Sequence, residues 1–194
     1  MSEFWLYVKL GFNHVLDWTA YDHILFLVVL VIGYTFDHWK RILLLVTLFT
    51  LGHTVSLFLA AYNVVSVNAS LVEFLIPITI LATAIFNILT SKNGSNTSKI
   101  GVLYGTTIFF GLIHGLGFSN YFKAISSNVS SKILPLIEFA LGVEAAQLVV
   151  VLFVLIVSFI FQSFLRFSKR EWILVVSSIV IGMVIPMIIA NKIW

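Results

Sequence analysis

The chain has no cysteine among its 194 residues. That excludes a disulfide framework, a thiolate metal site and a cysteine nucleophile. Charge is nearly as scarce: 10% of residues are charged and 60% are hydrophobic. A water-facing surface is usually about a quarter charged side chains, so a soluble domain of this length is excluded. The first twenty residues lack an uninterrupted apolar stretch, because Glu3, Lys9, Asn13, His14 and Asp17 interrupt it; a cleavable signal peptide is therefore not expected. The net charge of +3 comes from scattered loop lysines and arginines. No basic cluster is dense enough for nucleic acid. The apolar segments also lack lysine and arginine well inside them.

What is there is a series of apolar runs approaching the ~20 residues needed to cross ~30 Å of hydrocarbon. They predict an all-α polytopic membrane bundle, one integral membrane domain over 1–194. About six transmembrane helices are expected, at 19–36, 41–61, 71–91, 100–118, 133–165 and 172–190. Residues 4–17, with Trp5 and Tyr7, predict a short interfacial helix, and a break is expected near "WTAY". Basic residues in the short loops set orientation. Lys40, Arg41, Lys92, Lys99, Arg166, Lys169 and Arg170 fall on one side, and Lys9, Lys123, Lys132 and Lys192 on the other. The heavier side is the expected cytoplasmic face, which places both termini outside. Asn-x-Ser/Thr matches at Asn68, Asn93, Asn96 and Asn128 carry little without secretory context.

Ionisable groups nevertheless sit in the predicted spans: His23, His53, Glu73, His114, Glu138 and Glu144, with Asp22 at the start of the first. Burying one costs roughly 2.5–3.5 kcal/mol on insertion scales, so such residues normally have a partner and a role. Without basic partners, the carboxylates are left to be protonated, to share protons with imidazoles, or to bind a cation. The predicted orientation puts these groups in the outer half of the membrane on five helices. Imidazole with carboxylate suits nickel, cobalt, zinc or iron better than magnesium or calcium, and sequence does not choose among the four. Bland readings stand beside this one. Asp22 and Glu73 are placed to cap helices, His53 has hydroxyl neighbours in Thr50, Thr54 and Ser56, and Glu144 with Gln147 could satisfy each other at i, i+3. Glu138 points about 120° away from Glu144 on an ideal helix. Asn87 is placed to bond a neighbouring backbone.

The ordered segments "HVLDWTAYDHILFL", "TLFTLGHTVSL", "VEFLIPITILATAIFN", "FGLIHGLGF" and "LGVEAAQL" resemble the HupE/UreJ family. The resemblance runs from about residue 11 to 150. It implies a small multi-pass protein of a bacterial inner membrane, acting as a nickel/cobalt-type permease or as an accessory of metalloenzyme maturation. Its partners would be membrane lipids, the divalent ion and maturation or membrane-complex proteins. The matching polar positions are His14, Asp22, His23, His53, Glu73, Asn87, His114, Glu144 and Gln147, with Asp17 nearby. Three readings stand open. One is a permease for a divalent transition metal, which would take the ion inward past His53 toward Asn87. Another is an intramembrane metal-dependent hydrolase acting on lipid or lipid-anchored substrates, with Asp22, Glu73 or Glu144 handling protons. The last is a structural or proton-linked subunit of a membrane complex.

Overall fold

A computed structural model describes residues 3–91, 100–127, 129 and 131–193. Lys92, Lys99, Asn93, Asn96 and Asn128 lie outside the described residues. Among the described residues, seven helices follow one another: α1 Glu3–Val15, α2 Asp22–Val31, α3 Trp39–Ala61, α4 Ala69–Thr90, α5 Ile100–Ile125, α6 Ile133–Ser163 and α7 Lys169–Ala190, with a 3-10 turn Phe36–His38 before α3. No strand occurs among the described residues. α3 with its preceding turn, α4, α6 and α7 are each long and apolar enough to cross a membrane. α5, 26 residues long, reaches about 39 Å at ~1.5 Å per residue.

Contacts at the helix ends fix the topology. Lys132 Nζ donates to the Ala61 carbonyl at 2.8 Å, and Lys123 Nζ donates to Asn63 Oδ1 at 3.0 Å. Asn191 Nδ2 donates to the Glu73 carbonyl at 3.3 Å. The C-terminal ends of α3, α5 and α7 and the N-terminal ends of α4 and α6 therefore lie at one end of the bundle, here the terminal end. Lys40, Arg41, Arg166, Lys169 and Arg170 lie at the other. Along the helices, hydroxyls are satisfied by carbonyls of their own chain: Thr54 donates to Thr50, Thr79 to Ile76, Thr83 to Thr79 and Thr107 to Leu103. Such back-bonding answers the absence of water in hydrocarbon.

The first crossing differs from the expectation. α2 has ten residues, about 15 Å, which is too short to span. α1, the helix expected at the interface, packs on α6 and buries Tyr7, Gly11 and Val15. Together they form one broken helix descending along α5. The Tyr7 hydroxyl donates to the Ile125 carbonyl at 3.5 Å, and the His14 ring lies 4.0 Å from Phe118. His23 follows at 5.3 Å from His114, then Phe26 at 5.9 Å from Phe110. The break, Leu16 to Tyr21, contains the expected "WTAY" stretch. Asp17 Oδ1 holds it as a turn by accepting from Thr19 N at 2.8 Å and Thr19 Oγ1 at 2.7 Å. α5 also runs past the predicted end at 118 as far as Ile125.

Two glycine-lined crossings draw the backbones together. A Cβ on Gly11 would lie 2.1 Å from the Phe139 carbonyl oxygen, and one on Gly142 would lie 2.0 Å from that of Val8. Between α3 and α5, a Cβ on Gly52 would meet Ile108 O at 2.3 Å, and one on Gly111 would meet Phe49 O at 2.3 Å. Only glycine permits such approach, a familiar device where helices associate in lipid. The first crossing brings in the helix that carries His14, and the second sets His53 beside the turn carrying His114.

Candidate metal centre

Four of the five histidines converge where the first helix breaks. His14 ends α1, His23 opens α2, His53 lies on α3 and His114 on α5. Ring centroids are 4.6 Å apart for His14–His23, 5.6 Å for His14–His53, 5.8 Å for His23–His53 and 5.3 Å for His23–His114. One ligand atom from each of His14, His23 and His53 lies within 4.8 Å of the others. His23, His53 and His114 are 3%, 0% and 1% exposed, although histidine is on average only intermediate in burial. On α3 the centre lies about 12 Å from the end at Ala61 and about 21 Å from the end at Trp39.

The hydrogen bonds present prepare the rings for a ligand. A carbonyl oxygen only accepts, so the contact of His114 Nδ1 with the Phe110 carbonyl at 2.8 Å assigns the ring proton to Nδ1. The lone pair then sits on Nε2. His23 Nδ1 makes the equivalent contact with Asp22 Oδ1 at 3.0 Å, and the same oxygen accepts the His23 backbone N–H at 2.8 Å. A carboxylate behind a ligating imidazole fixes its tautomer and orientation. The remaining nitrogens have no hydrogen-bond partner in the protein: His14 Nε2, His23 Nε2, both nitrogens of His53, and His114 Nε2. Buried polar atoms are overwhelmingly paired, so five imidazole nitrogens without a partner in the protein form a cluster of donors available to a ligand. The donors present fit a divalent transition metal that accepts nitrogen ligands.

Aromatic rings wall the site. Phe118 and Phe139 stack with each other at 5.1 Å and lie beside His14. Phe26 and Phe49 stack at 4.8 Å on the other side, against His114 at 5.3 and 5.1 Å. The sequence had singled out the histidines but none of these phenylalanines, since an aromatic at helical spacing reads as ordinary core.

A family model described as HupE / UreJ protein matches residues 1–192. The chain belongs to the HupE/UreJ family. The match includes α7, which carries none of the motifs that first suggested the HupE/UreJ resemblance. No curated protein and no solved structure matches the chain.

The carboxylates separate from one another. Asp22 joins the cluster through His23, not as a cap, because α2 has no side-chain cap. Glu73 is exposed at the start of α4, where Asn68 supplies the cap by accepting from Ser70 N. Glu144 is half-buried and accepts from Thr47 Oγ1 at 2.6 Å, while Gln147, instead of meeting Glu144, accepts from Thr50 Oγ1 at 3.0 Å. Neither Glu73 nor Glu144 makes a described contact with the imidazoles. Glu138 is buried, near Tyr7. Asp17 is exposed in the break. Asn87 Nδ2 donates to the Val29 carbonyl at 2.6 Å, the backbone bond expected of it. The hydroxyls near His53 do not satisfy its ring: Ser56 donates to the His53 carbonyl at 2.9 Å and Thr50 to Gln147.

Proposed function

We propose that this chain is a membrane permease for a divalent transition metal, and that His14, His23, His53 and His114 form its occluded binding centre. The five bare imidazole nitrogens carry the reading. Neutral imidazoles favour nickel, cobalt or zinc over hard cations, and the Asp22 carboxylate behind His23 offsets part of the ion's charge. The centre lies at the break of a helix that traverses the bundle, as substrate sites of many transporters do. Phe118 and Phe139 cover it toward the terminal end, and Phe26, Phe49 and Phe110 close the way toward the opposite end. A catalytic zinc site usually holds three protein ligands and leaves a position for water; a fourth imidazole beside the first three favours holding an ion over activating water. Membership of the HupE/UreJ family supports a nickel or cobalt cargo, and the basic residues gathered at the end away from the termini support an inner-membrane orientation with both termini on the periplasmic side. In this reading Glu73 and Glu144 serve the ion outside the imidazole centre.

Reconstituted vesicles test the proposal. Wild-type protein should accumulate Ni²⁺ or Co²⁺ beyond its binding stoichiometry, and His53→Ala and His114→Ala, monodisperse on purification, should abolish uptake. Vesicles that bind one or two ions per chain and accumulate no more would overturn transport and favour the hydrolase. Protein that binds no metal at neutral pH would favour the structural or proton-linked subunit.

A further inference from the structure

The four histidines are not held with equal firmness. His23 sits on α2, where seven of ten residues are buried: His23, Leu25, Phe26, Leu27, Val29, Leu30 and Val31. Asn87 pins the far end of α2 through the Val29 carbonyl. His53 and His114 sit well inside α3 and α5, which pack on each other and, through α3, on α6 as well. His14 is different. Its helix has thirteen residues, of which only Tyr7, Gly11 and Val15 are buried, and its backbone packs chiefly against α6. The described side-chain hydrogen bond from α1 to another helix, Tyr7 to Ile125, is 3.5 Å long, the outer limit of such a bond.

The contact between α1 and α6 suits movement. At Gly11 and Gly142 backbone meets backbone with no side chain between, so a rocking motion there need not pull interdigitated side chains apart. A joint follows immediately after His14. Asp17, Trp18, Thr19 and Ala20 are all exposed, and the turn there is held locally by the Asp17–Thr19 contacts. Small hinge segments of this kind absorb the φ/ψ change when a rigid element swings.

We propose that α1 is the gate of the metal centre: it pivots at Leu16 to Tyr21, lifts His14 off the ion and away from Phe118 and Phe139, and opens the site toward the terminal end while α2, α3 and α5 stay fixed. The gate rests on the metal-binding reading. It assigns the two halves of the broken helix different tasks, α2 as fixed floor and α1 as moving lid. Closure supplies the last ligand, so the ion itself favours the closed state by its differential contact with His14. Gly11 and Gly142 set how closely the lid seats.

The absence of cysteine makes the test clean. Phe12 and Ala145 line the same groove between α1 and α6, so Phe12→Cys with Ala145→Cys supplies the only possible intramolecular disulfide. The purified full chain in lipid nanodiscs is loaded with Co²⁺ alone, oxidised, and challenged with excess EDTA while the Co²⁺ visible absorption is followed. Release from the oxidised pair should be slower than from its reduced form by about tenfold or more, because only the open fraction exchanges. Gly11→Ala, which pushes the lid off the Phe139 carbonyl, should release Co²⁺ faster than wild type. Equal rates in the oxidised and reduced pair would overturn the gate even if Gly11→Ala fails to fold, since the pair retains Gly11. Failure of the pair to cross-link under oxidant would overturn the seating of α1 on α6. No Co²⁺ binding by any form would overturn the metal reading itself, a result distinct from bound Co²⁺ that exchanges regardless of the cross-link.

Discussion

His53→Leu separates function from stability in a way few substitutions can. His53 is fully buried, and neither ring nitrogen has a partner. A neutral imidazole has one donor and one acceptor, and each left unsatisfied costs about 1–3 kcal/mol. Leucine, of similar bulk, carries neither burden. What is lost is the stacking of His53 on Phe139, 6.1 Å away with rings 16° apart, worth about 0.5–1.5 kcal/mol. Without metal, the variant should therefore be more stable than wild type, by about 0.5 kcal/mol even at the least favourable ends of these ranges. With metal the order should reverse: an ion at 100 times its Kd adds about 2.7 kcal/mol to the wild type and little to the variant. Thermal unfolding of detergent-purified protein, with EDTA and with Ni²⁺, measures both. A His53→Leu protein clearly less stable than wild type in EDTA would refute the view that the imidazole is held unsatisfied for a ligand. So would a variant that keeps the full Ni²⁺-induced shift.

Three further outcomes are expected. Asp22→Asn should leave the fold intact but weaken Ni²⁺ binding about 10–100-fold, the usual loss when the group orienting a ligating imidazole is changed; calorimetric titration reads it, and unchanged affinity would remove Asp22 from the site. Gly52→Ala sets a Cβ 2.3 Å from the Ile108 carbonyl, so α3 and α5 must separate. Apo stability should fall by about 1–3 kcal/mol, as in overpacked cores, with metal binding impaired too because His53 and His114 sit on those helices; a stable variant with normal affinity would contradict the crossing. Acidification should weaken binding, because protons and metal compete for the same nitrogens and only the neutral imidazole ligates. Affinity should be level where the rings are neutral and fall as they protonate, and metal retention measured down to strongly acidic pH checks it; affinity indifferent to pH throughout would exclude histidine ligation.

The sequence by itself determined much of the scaffold. Apolar run length follows directly from membrane thickness, so the spans read at 41–61, 71–91, 133–165 and 172–190 fall within a few residues of α3, α4, α6 and α7. The break at "WTAY" was legible because His14 and His23 would face opposite ways on one unbroken helix. That His23, His53 and His114 would approach one another was legible from their shared depth on separate helices, and the rings do lie close together. Tertiary structure alone decided the rest. α1 is too short and too mixed in character to announce itself as half of a crossing; it becomes one because Gly11 and Gly142 let it seat on α6. Glu73, Glu144 and Asp22 are the same kind of residue at comparable positions on paper. Only the rotation and crossing of their helices sends Asp22 to His23, Glu144 to Thr47 and Glu73 to the surface. Periodicity gives the face a residue occupies on its own helix, but not which neighbouring helix that face meets, because that depends on backbone approach distances set by glycines far apart in the chain.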